Sequence, residues 1–219
     1  MDGTLRKIPT HELTYGELRD MVLYGRLQPG QSVTIQGLVG ELHAGMTPIS
    51  EAIRRLTAEG ALSLLGNRRV CVPLLTPALL EQIAFARLSI EPRLAELAAP
   101  ALTPGLIDRL ARLDSEVDQA IRAGDVHAYL AGNHRFHFAI YEASAAPVLV
   151  DIARSLWLRF GPSLRVVCAR FGTGSLPDRH GEALAAMRAG NANALARAIE
   201  SDIAQGMEQV RLALLDPEI

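Results

Sequence analysis

The residues with the clearest capacity for chemistry lie in the second half of the chain. Asn133 and His137 are four positions apart in a stretch of helical periodicity, so both side chains emerge on one helix face. His180 and Asp202 lie at the start of one later helical stretch and inside another. An amide one turn before a histidine is also a common hydrogen-bonded pair, so the spacing alone leaves open a metal site and a purely structural pair.

Basic residues of the first half are candidates for contact with nucleic acid. Arg54 and Arg55 lie in an amphipathic helical stretch, and Arg68 and Arg69 lie in a turn between two short apolar runs. Residues 1–76 carry eight Lys and Arg against seven Asp and Glu, and the chain has no long block of like charge. A DNA-binding role therefore depends on where these arginines are placed, because two arginines on a helix are often only a solvated face.

The composition indicates a globular and mainly helical fold. The 219 residues are 49% hydrophobic and 21% charged, which excludes a disordered or low-complexity protein. Only 5% are aromatic, a balance that suits helix bundles better than an all-β sandwich. The longest apolar runs are too short to cross a bilayer and no secretory signal opens the chain, so we expect a cytoplasmic protein without membrane contact.

The first third of the chain has the pattern of a winged helix-turn-helix. Helical periodicity predicts three helices, over residues 14–24, 34–42 and 47–60. Thr47 is predicted to be the N-cap of the third helix, followed by Pro48 in the first turn. Residues 61–65 and 70–74 predict a small β-hairpin, which would form the wing.

The rest of the chain predicts an all-α antiparallel bundle. Six long helical stretches are separated by Pro, Gly or Asp at capping positions, over residues 79–99, 104–123, 125–143, 147–170, 177–189 and 191–215. Their short connections favour antiparallel neighbours. We therefore predict two domains, 1–76 and 77–219, which meet at Thr76-Pro77.

Three motifs of the first domain occur together. They are GRLQPG at 25–30, TPISEAIRRLTAEGAL at 47–62 and GNRRVCV at 66–72. The first domain thereby resembles the GntR family of bacterial transcription regulators. The resemblance implies that the third helix enters the major groove of operator DNA and that the wing reaches neighbouring phosphates. The DNA contacts that it implies are Thr47, Ser50, Arg54, Arg55, Arg68 and Arg69.

The reading end of that helix departs from the family pattern. Gly45 and Met46 stand where a serine and an arginine are usual, and Ser50 stands where an arginine is common. Each bidentate arginine–guanine contact contributes about 1–3 kcal/mol to discrimination between bases. We therefore predict an unusual operator or weaker specificity, and a sensor with weakened operator recognition is an alternative.

The second domain contains the motif NHRFHFAIYEAS at 133–144. It is similar to the ligand-sensing helical domain of the FadR-like (FCD) branch of GntR regulators. The resemblance implies a divalent metal ion, zinc with manganese or nickel as alternatives, at the positions of Asn133, His137, His180 and Asp202. Asn133 replaces an aspartate and Asp202 replaces a histidine of the family pattern, so the charge of the ligand set is unchanged.

Arg87 matches the first bundle helix of that branch, which implies a two-pronged contact with a small carboxylate effector. An ion pair with Glu91, four residues on, is the structural alternative. The resemblance predicts a homodimeric transcription regulator, not an enzyme, whose affinity for operator DNA is controlled by the effector. A metal-dependent hydrolase or lyase is the alternative function, although no positioned base or nucleophile accompanies the candidate ligands.

Overall fold

Helices dominate the part of the chain that the structure describes. The structure is a computed structural model; it describes residues 9–66, 69–171 and 178–215, with only the backbone for 166–171. Within these residues it has nine α-helices and one three-stranded antiparallel sheet. The predicted fold class, a winged helix-turn-helix followed by a helical domain, is confirmed. None of the described helices is long and apolar enough to cross a membrane.

The N-terminal elements alternate helices with very short strands. They are α1 (Thr10–Leu23), β1 (Ser32–Val33), α2 (Ile35–Leu42), α3 (Met46–Ala58), β2 (Ser63–Leu64) and β3 (Val70–Cys71). Thr34 caps α2, as its Oγ1 accepts a hydrogen bond of 3.1 Å from the backbone N–H of Gly37. The helices share one apolar core, to which Leu18, Leu38 and Leu56 each contribute a buried side chain.

The start of α3 differs from the prediction. Gly45, in an extended conformation, is the N-cap, and its carbonyl accepts the first helical hydrogen bond from Ile49 at 3.3 Å. Pro48 is tolerated because the first N–H groups of a helix have no partner within the helix. The predicted N-cap role of Thr47 is therefore wrong. Thr47 lies within the first turn, and its side chain is exposed.

The sheet contains the predicted hairpin and one additional strand. β2 pairs with β3 in the register Ser63↔Cys71, which forms the wing. β1 pairs with the other edge of β3 in the register Ser32↔Cys71, so the strand order is β1-β3-β2. The wing is thereby attached to the segment that leads into α2.

Six helices form the C-terminal part. They are α4 (Pro77–Ala98), α5 (Pro104–Ala123), α6 (Val126–Tyr141), α7 (Pro147–Phe171), α8 (Arg179–Arg188) and α9 (Ala192–Leu215). Side chains of Thr76, Thr103, Asp125 and Asp178 accept backbone hydrogen bonds at the starts of α4, α5, α6 and α8. These caps are local signals, and they explain why the helix limits agree closely with the sequence pattern.

The two parts of the chain are in direct contact. The C-terminal end of α1 packs on α7, where Gly161 faces the backbone carbonyl of Leu23. The aliphatic part of Arg165 covers Gly25, which has a positive φ of 66°. Since Gly161 has no side chain, the two backbones approach more closely than any other residue would allow.

Candidate metal centre and nucleic-acid interface

Three helices bring two histidines and one carboxylate together inside the bundle. His137 comes from α6, His180 from the first turn of α8 and Asp202 from α9, and one potential ligand atom of each lies within 4.8 Å of the others. His137 is fully buried, His180 is 8% exposed, and the side chain of Asp202 is 23% exposed. The tertiary structure therefore groups three of the four residues that the family resemblance implied.

The imidazole of His137 has one nitrogen without a hydrogen bond. Nε2 lies 3.1 Å from Oδ2 of Asp202, but the two atoms are not aligned for a hydrogen bond. Nε2 is buried and has no hydrogen-bond partner among the described residues. Around a metal with ligand distances of about 2.1 Å, neighbouring ligand atoms lie about 3.0–3.4 Å apart. The separation of His137 and Asp202 fits two adjacent ligands of one divalent cation.

His180 is oriented by contacts on two sides. Its Nδ1 lies 2.9 Å from Oδ1 of Asp114 on α5, and its ring stacks on Phe136 with 4.0 Å between centroids. The carboxylate accepts a hydrogen bond from Nδ1, so Nε2 is the nitrogen that remains for a ligand. A histidine that donates from one nitrogen to a carboxylate is the usual arrangement in metal centres.

Burial and neighbouring charges shift the protonation of all three residues. Burial lowers the pKa of His137, against the opposing effect of the close Asp202 carboxylate. Burial also acts to lower the pKa of His180, but the hydrogen bond to Asp114 and the charge of Asp202 outweigh it and the pKa is raised. For Asp202, burial acts to raise the pKa, but nearby His137, His180 and Arg87 lower it overall. These shifts favour the ionised carboxylate of Asp202 and the neutral imidazole of His137, the forms that bind a cation, whereas the raised pKa of His180 favours the protonated imidazole, whose proton a cation would displace.

Asn133 lies one helical turn before His137 on α6 and is buried. The four-residue spacing puts it on the helix face of His137, as the sequence predicts. Its neighbour Gly132 packs against Val117 of α5, and a Cβ at this glycine would lie 2.8 Å from a methyl carbon of that valine. The absence of a side chain at Gly132 allows α5 to pack closely on α6 next to Asn133.

Arg87 forms the ion pair that the sequence left as its structural alternative. Its Nε and Nη2 donate to the two carboxylate oxygens of Glu91 at 2.6 Å and 3.1 Å, and both side chains are buried. Trp157 and Tyr141 also donate to Glu91, at 3.0 Å and 2.7 Å. The hydroxyl of Tyr141 lies 3.0 Å from Nδ1 of His137, so a continuous polar network joins Arg87 to the histidine cluster.

Sequence reasoning missed two residues of this network. Tyr141 follows His137 by four residues, the same spacing that identified Asn133, so the signal was present in the sequence. Asp114 carried no such signal, because it lies 66 residues from its partner His180. Only the packing of α5 against α8 brings that pair together.

On the N-terminal part, α3 and the wing form an open polar surface. Thr47, Ser50 and Arg54 are exposed on α3. A cavity of about 750 Å³ opens between α3, the start of α2 and the sheet, and Ser50, Arg54 and Arg69 are among the residues that line it. Nη2 of Arg69 donates a hydrogen bond of 2.7 Å to Oγ of Ser32. Arg68, the remaining predicted contact of the wing, lies outside the described residues.

Arg55 contacts α1 and does not line this cavity. Its guanidinium carbon lies 3.6 Å from the centroid of the Tyr15 ring, and its nitrogens lie 3.3 Å from carboxylate oxygens of Glu12 and Glu59. Tyr15 donates to Glu59, and burial together with this contact raises the pKa of Tyr15 to about 12. The structure thus gives Arg55 a packing role between α3 and α1, apart from the other predicted DNA contacts.

The residue after α1 contacts the helix that carries His137. The ring of Tyr24 lies edge-on to His127 and His134, with centroid distances of 5.7 Å and 5.9 Å. His134 in turn stacks on Phe138 at 4.3 Å and lies edge-on to Trp157 at 5.4 Å. Burial lowers the pKa of His134 to about 3, so its ring packs as a neutral aromatic group.

Two family models match the chain. The model of bacterial regulatory proteins of the gntR family matches residues 10–72, and the model of the FCD domain matches residues 82–205, which is more than half of the chain. The chain belongs to the GntR family. The GntR match covers the winged helix, and the FCD match covers the helices that carry the histidine cluster. This confirms the family that the sequence motifs indicated.

Relatives of known name agree with this membership. The HTH-type transcriptional regulator McbR of Escherichia coli (strain K12) is 30% identical over 162 residues, which is 74% of this chain and 73% of McbR. The solved structure of E. coli McbR/YncC superposes with a TM-score of 0.84 and 26% identity, over 95% of this chain and 98% of that one. A GntR protein from Rhodococcus sp. RHA1 has a TM-score of 0.74 at 20% identity, over 91% and 96% of the two chains, and shows the common fold.

Membership in the GntR family gives the general function of the chain. It is a DNA-binding transcription regulator with an FCD domain, and McbR is likewise named as a transcriptional regulator. The open surface of α3 and the wing belongs to the GntR part. The His137, His180 and Asp202 group belongs to the FCD part and could hold a metal ion.

Proposed function

We propose that this GntR regulator binds operator DNA through residues 1–76 and senses a small carboxylate, together with a divalent cation, through residues 77–219. The observation that carries the proposal is the buried Nε2 of His137, which faces Asp202 without a hydrogen bond. A buried polar atom left without a partner costs about 1–3 kcal/mol. A cation between the two groups removes this cost, because both offer lone pairs to it.

The cation would be held by His137, His180 and Asp202, with the amide oxygen of Asn133 as a fourth donor. Two imidazoles, one carboxylate and one amide oxygen suit zinc, manganese or nickel. A bound cation supplies Lewis acidity, which attracts a carboxylate oxygen of the effector. Arg87 supports the effector through Nη1, the guanidinium nitrogen that makes no hydrogen bond with the described residues. This replaces the two-pronged contact expected from the sequence.

The DNA contacts are assigned to Thr47, Ser50, Arg54, Arg68 and Arg69. An exposed N-terminal end of α3 with two hydroxyl groups suits the edges of bases in a major groove. Arg54 and Arg69 both line the 750 Å³ cavity, where they would contact phosphate oxygens of the DNA. Arg55 is left out of this set because its guanidinium contacts Tyr15 and Glu12 of α1.

Direct contacts between the two parts support communication between the sites. Tyr24 contacts His134 on the helix of His137, and the guanidinium of Arg159 on α7 lies against Gly60 just after α3. α7 also carries Trp157, which donates to Glu91 near the histidine cluster. An effector that favours one packing of α6 and α7 would therefore favour one orientation of α3, and so shift the population of DNA-binding conformations.

A homodimer is assigned to the face where α4 meets α7. Phe85 is 75% exposed and Val148 is 70% exposed, although both are large apolar residues. Val148 and Ile152 of α7 and Gln82 of α4 line a groove of about 600 Å³. Phe85 lies one helical turn after Gln82 on α4. Exposed apolar patches of this kind mark interaction sites. A second copy on this face would pair two winged helices, as a two-fold symmetric operator requires.

Two measurements on the full chain test the proposed function. Selection from random duplex DNA should enrich a two-fold symmetric motif, and isothermal titration with Zn²⁺ and Mn²⁺ should show one site per chain. His137→Ala should abolish cation binding and leave the enriched DNA motif unchanged. Binding of all sequences alike, with steep loss of affinity in salt, would support the weakened-sensor alternative. Failure of the wild-type chain to bind either ion would contradict the cation site.

A further inference from the structure

We propose that Tyr141 is a positioning residue that holds the imidazole of His137 in the tautomer with its hydrogen on Nδ1. The tautomer is a property of the metal-free protein. Its consequence for a cation rests on the proposed function.

Glu91 is surrounded by donors. Arg87 donates to both of its oxygens, and Trp157 donates to Oε2 at 3.0 Å. The hydroxyl oxygen of Tyr141 lies only 2.7 Å from the same Oε2. A carboxylate has lone pairs and no hydrogen, so contact at this distance requires that Tyr141 donates its hydrogen to Glu91.

The direction of the Tyr141 hydrogen fixes the next contact. Once the hydroxyl has donated to Glu91, its oxygen presents only lone pairs to Nδ1 of His137 at 3.0 Å. Nδ1 must therefore be the donor, and it carries the imidazole hydrogen.

The tautomer leaves the lone pair of His137 on Nε2. This is the buried nitrogen that faces Asp202 at 3.1 Å without a hydrogen bond. In the other tautomer Nε2 would carry a hydrogen toward Asp202, and the ring would no longer be a ligand. Arg87 and Glu91 thereby act on the histidine cluster through Tyr141, 50 residues from Glu91 in the sequence. Outer groups of this kind typically change metal affinity by about 10–100-fold.

The first test is nuclear magnetic resonance of the metal-free full chain with ¹⁵N-labelled histidine. Long-range ¹H–¹⁵N correlations at neutral pH should show His137 protonated on Nδ1. In Tyr141→Phe, which removes only the hydroxyl, the hydrogen should move from Nδ1 to Nε2. The matched control is Trp157→Phe, which removes another donor to the same Glu91 oxygen and should leave the tautomer unchanged. Protonation of Nε2 in the wild type, or an unchanged tautomer in Tyr141→Phe, would overturn the proposal.

The second test measures cation affinity by titration with Zn²⁺ and Mn²⁺. Tyr141→Phe should weaken binding by about 10–100-fold, whereas Trp157→Phe should stay close to the wild type. Thermal unfolding of each metal-free variant verifies that it is folded. An equal loss in both variants would overturn a positioning role of Tyr141 and indicate a general effect on packing. A wild type that binds neither ion would contradict the proposed function. The tautomer of His137 in the metal-free protein would still test the role of Tyr141.

Discussion

The backbone carbonyl of Leu23 lies directly against Gly161, at the point where α1 of the DNA-binding part meets α7 of the FCD part. A Cβ at position 161 would collide with this carbonyl, which belongs to the backbone and has little freedom to move. The two parts are thus packed at backbone distance. This contact, together with that of Tyr24 and His134, joins the two parts of the chain physically.

Gly161→Ala should destabilise the chain by about 1–3 kcal/mol, because the new methyl group forces α1 and α7 apart. The free energy of unfolding in urea measures the effect. Gly206→Ala is the matched control, since Gly206 lies inside α9 with no atom within 4 Å of an added Cβ. This control should be more stable by about 0.5–1 kcal/mol, the usual gain in a helix interior. Equal stability of Gly161→Ala and wild type would show that the backbones do not meet this closely in solution.

Saturating Zn²⁺ or Mn²⁺ should raise the melting temperature of the wild type. At a hundredfold excess over Kd the added stability is about 2.7 kcal/mol. Asp202→Ala and His180→Ala should lose the shift, because each removes one of three ligand groups that lie within 4.8 Å of one another. His11→Ala serves as the control, since its half-exposed side chain lies on α1. An equal shift in all variants would indicate binding elsewhere.

We expect Arg54→Ala mainly to weaken operator binding and Arg55→Ala mainly to lower stability. Loss of Arg54, which lines the cavity on the DNA side, should weaken binding to all DNA sequences about equally, reduce the slope of log K against log salt concentration by about 1, and leave stability unchanged. Loss of Arg55 removes the contacts with Tyr15, Glu12 and Glu59, so it should lower stability and affect operator affinity less. Fluorescence anisotropy and urea unfolding measure the two quantities. The reverse order of the two operator affinities would contradict the assignment.

Phe85→Glu should convert a dimer into monomers, because it places a charge in the apolar face between α4 and α7. Sedimentation velocity measures the mass, and operator affinity should fall with the dimer. Leu212→Glu, at a partly exposed apolar position on α9, is the control and should remain dimeric. A monomeric wild type, or dimers in both variants, would exclude this face as the interface.

Tyr24→Ala should uncouple the two sites and leave each of them able to bind. The ratio of operator affinities with and without Zn²⁺ should move toward one, because the contact with His134 is lost. Zn²⁺ affinity in the absence of DNA should be unchanged. Linkage requires that operator DNA then also stops affecting Zn²⁺ affinity. A ratio equal to that of the wild type would show that coupling passes through other contacts.

The sequence by itself determined the existence of the helices, most of their limits and the family, because these depend on local signals. The predicted start of α1 at residue 14 was wrong, since α1 begins at Thr10. Caps such as Thr34, Thr103 and Asp125 satisfy backbone groups within their own turn, and periodicity places Asn133 beside His137. The start of α3 was misplaced by two residues for the same local reason, since threonine and glycine are both acceptable N-caps.

The tertiary structure alone decided which polar atoms meet. The contact between His180 and Asp114 depends on how helices far apart in the sequence pack together. The same packing decides that Arg54 lines the cavity while Arg55 contacts α1. No pattern of neighbouring residues encodes such contacts. They depend on which helices pack together, and the apolar face of one helix can pack against many other helices. Arg87 shows the difference most directly. Its spacing to Glu91 is local, but its connection through Tyr141 to His137 exists only in the folded bundle.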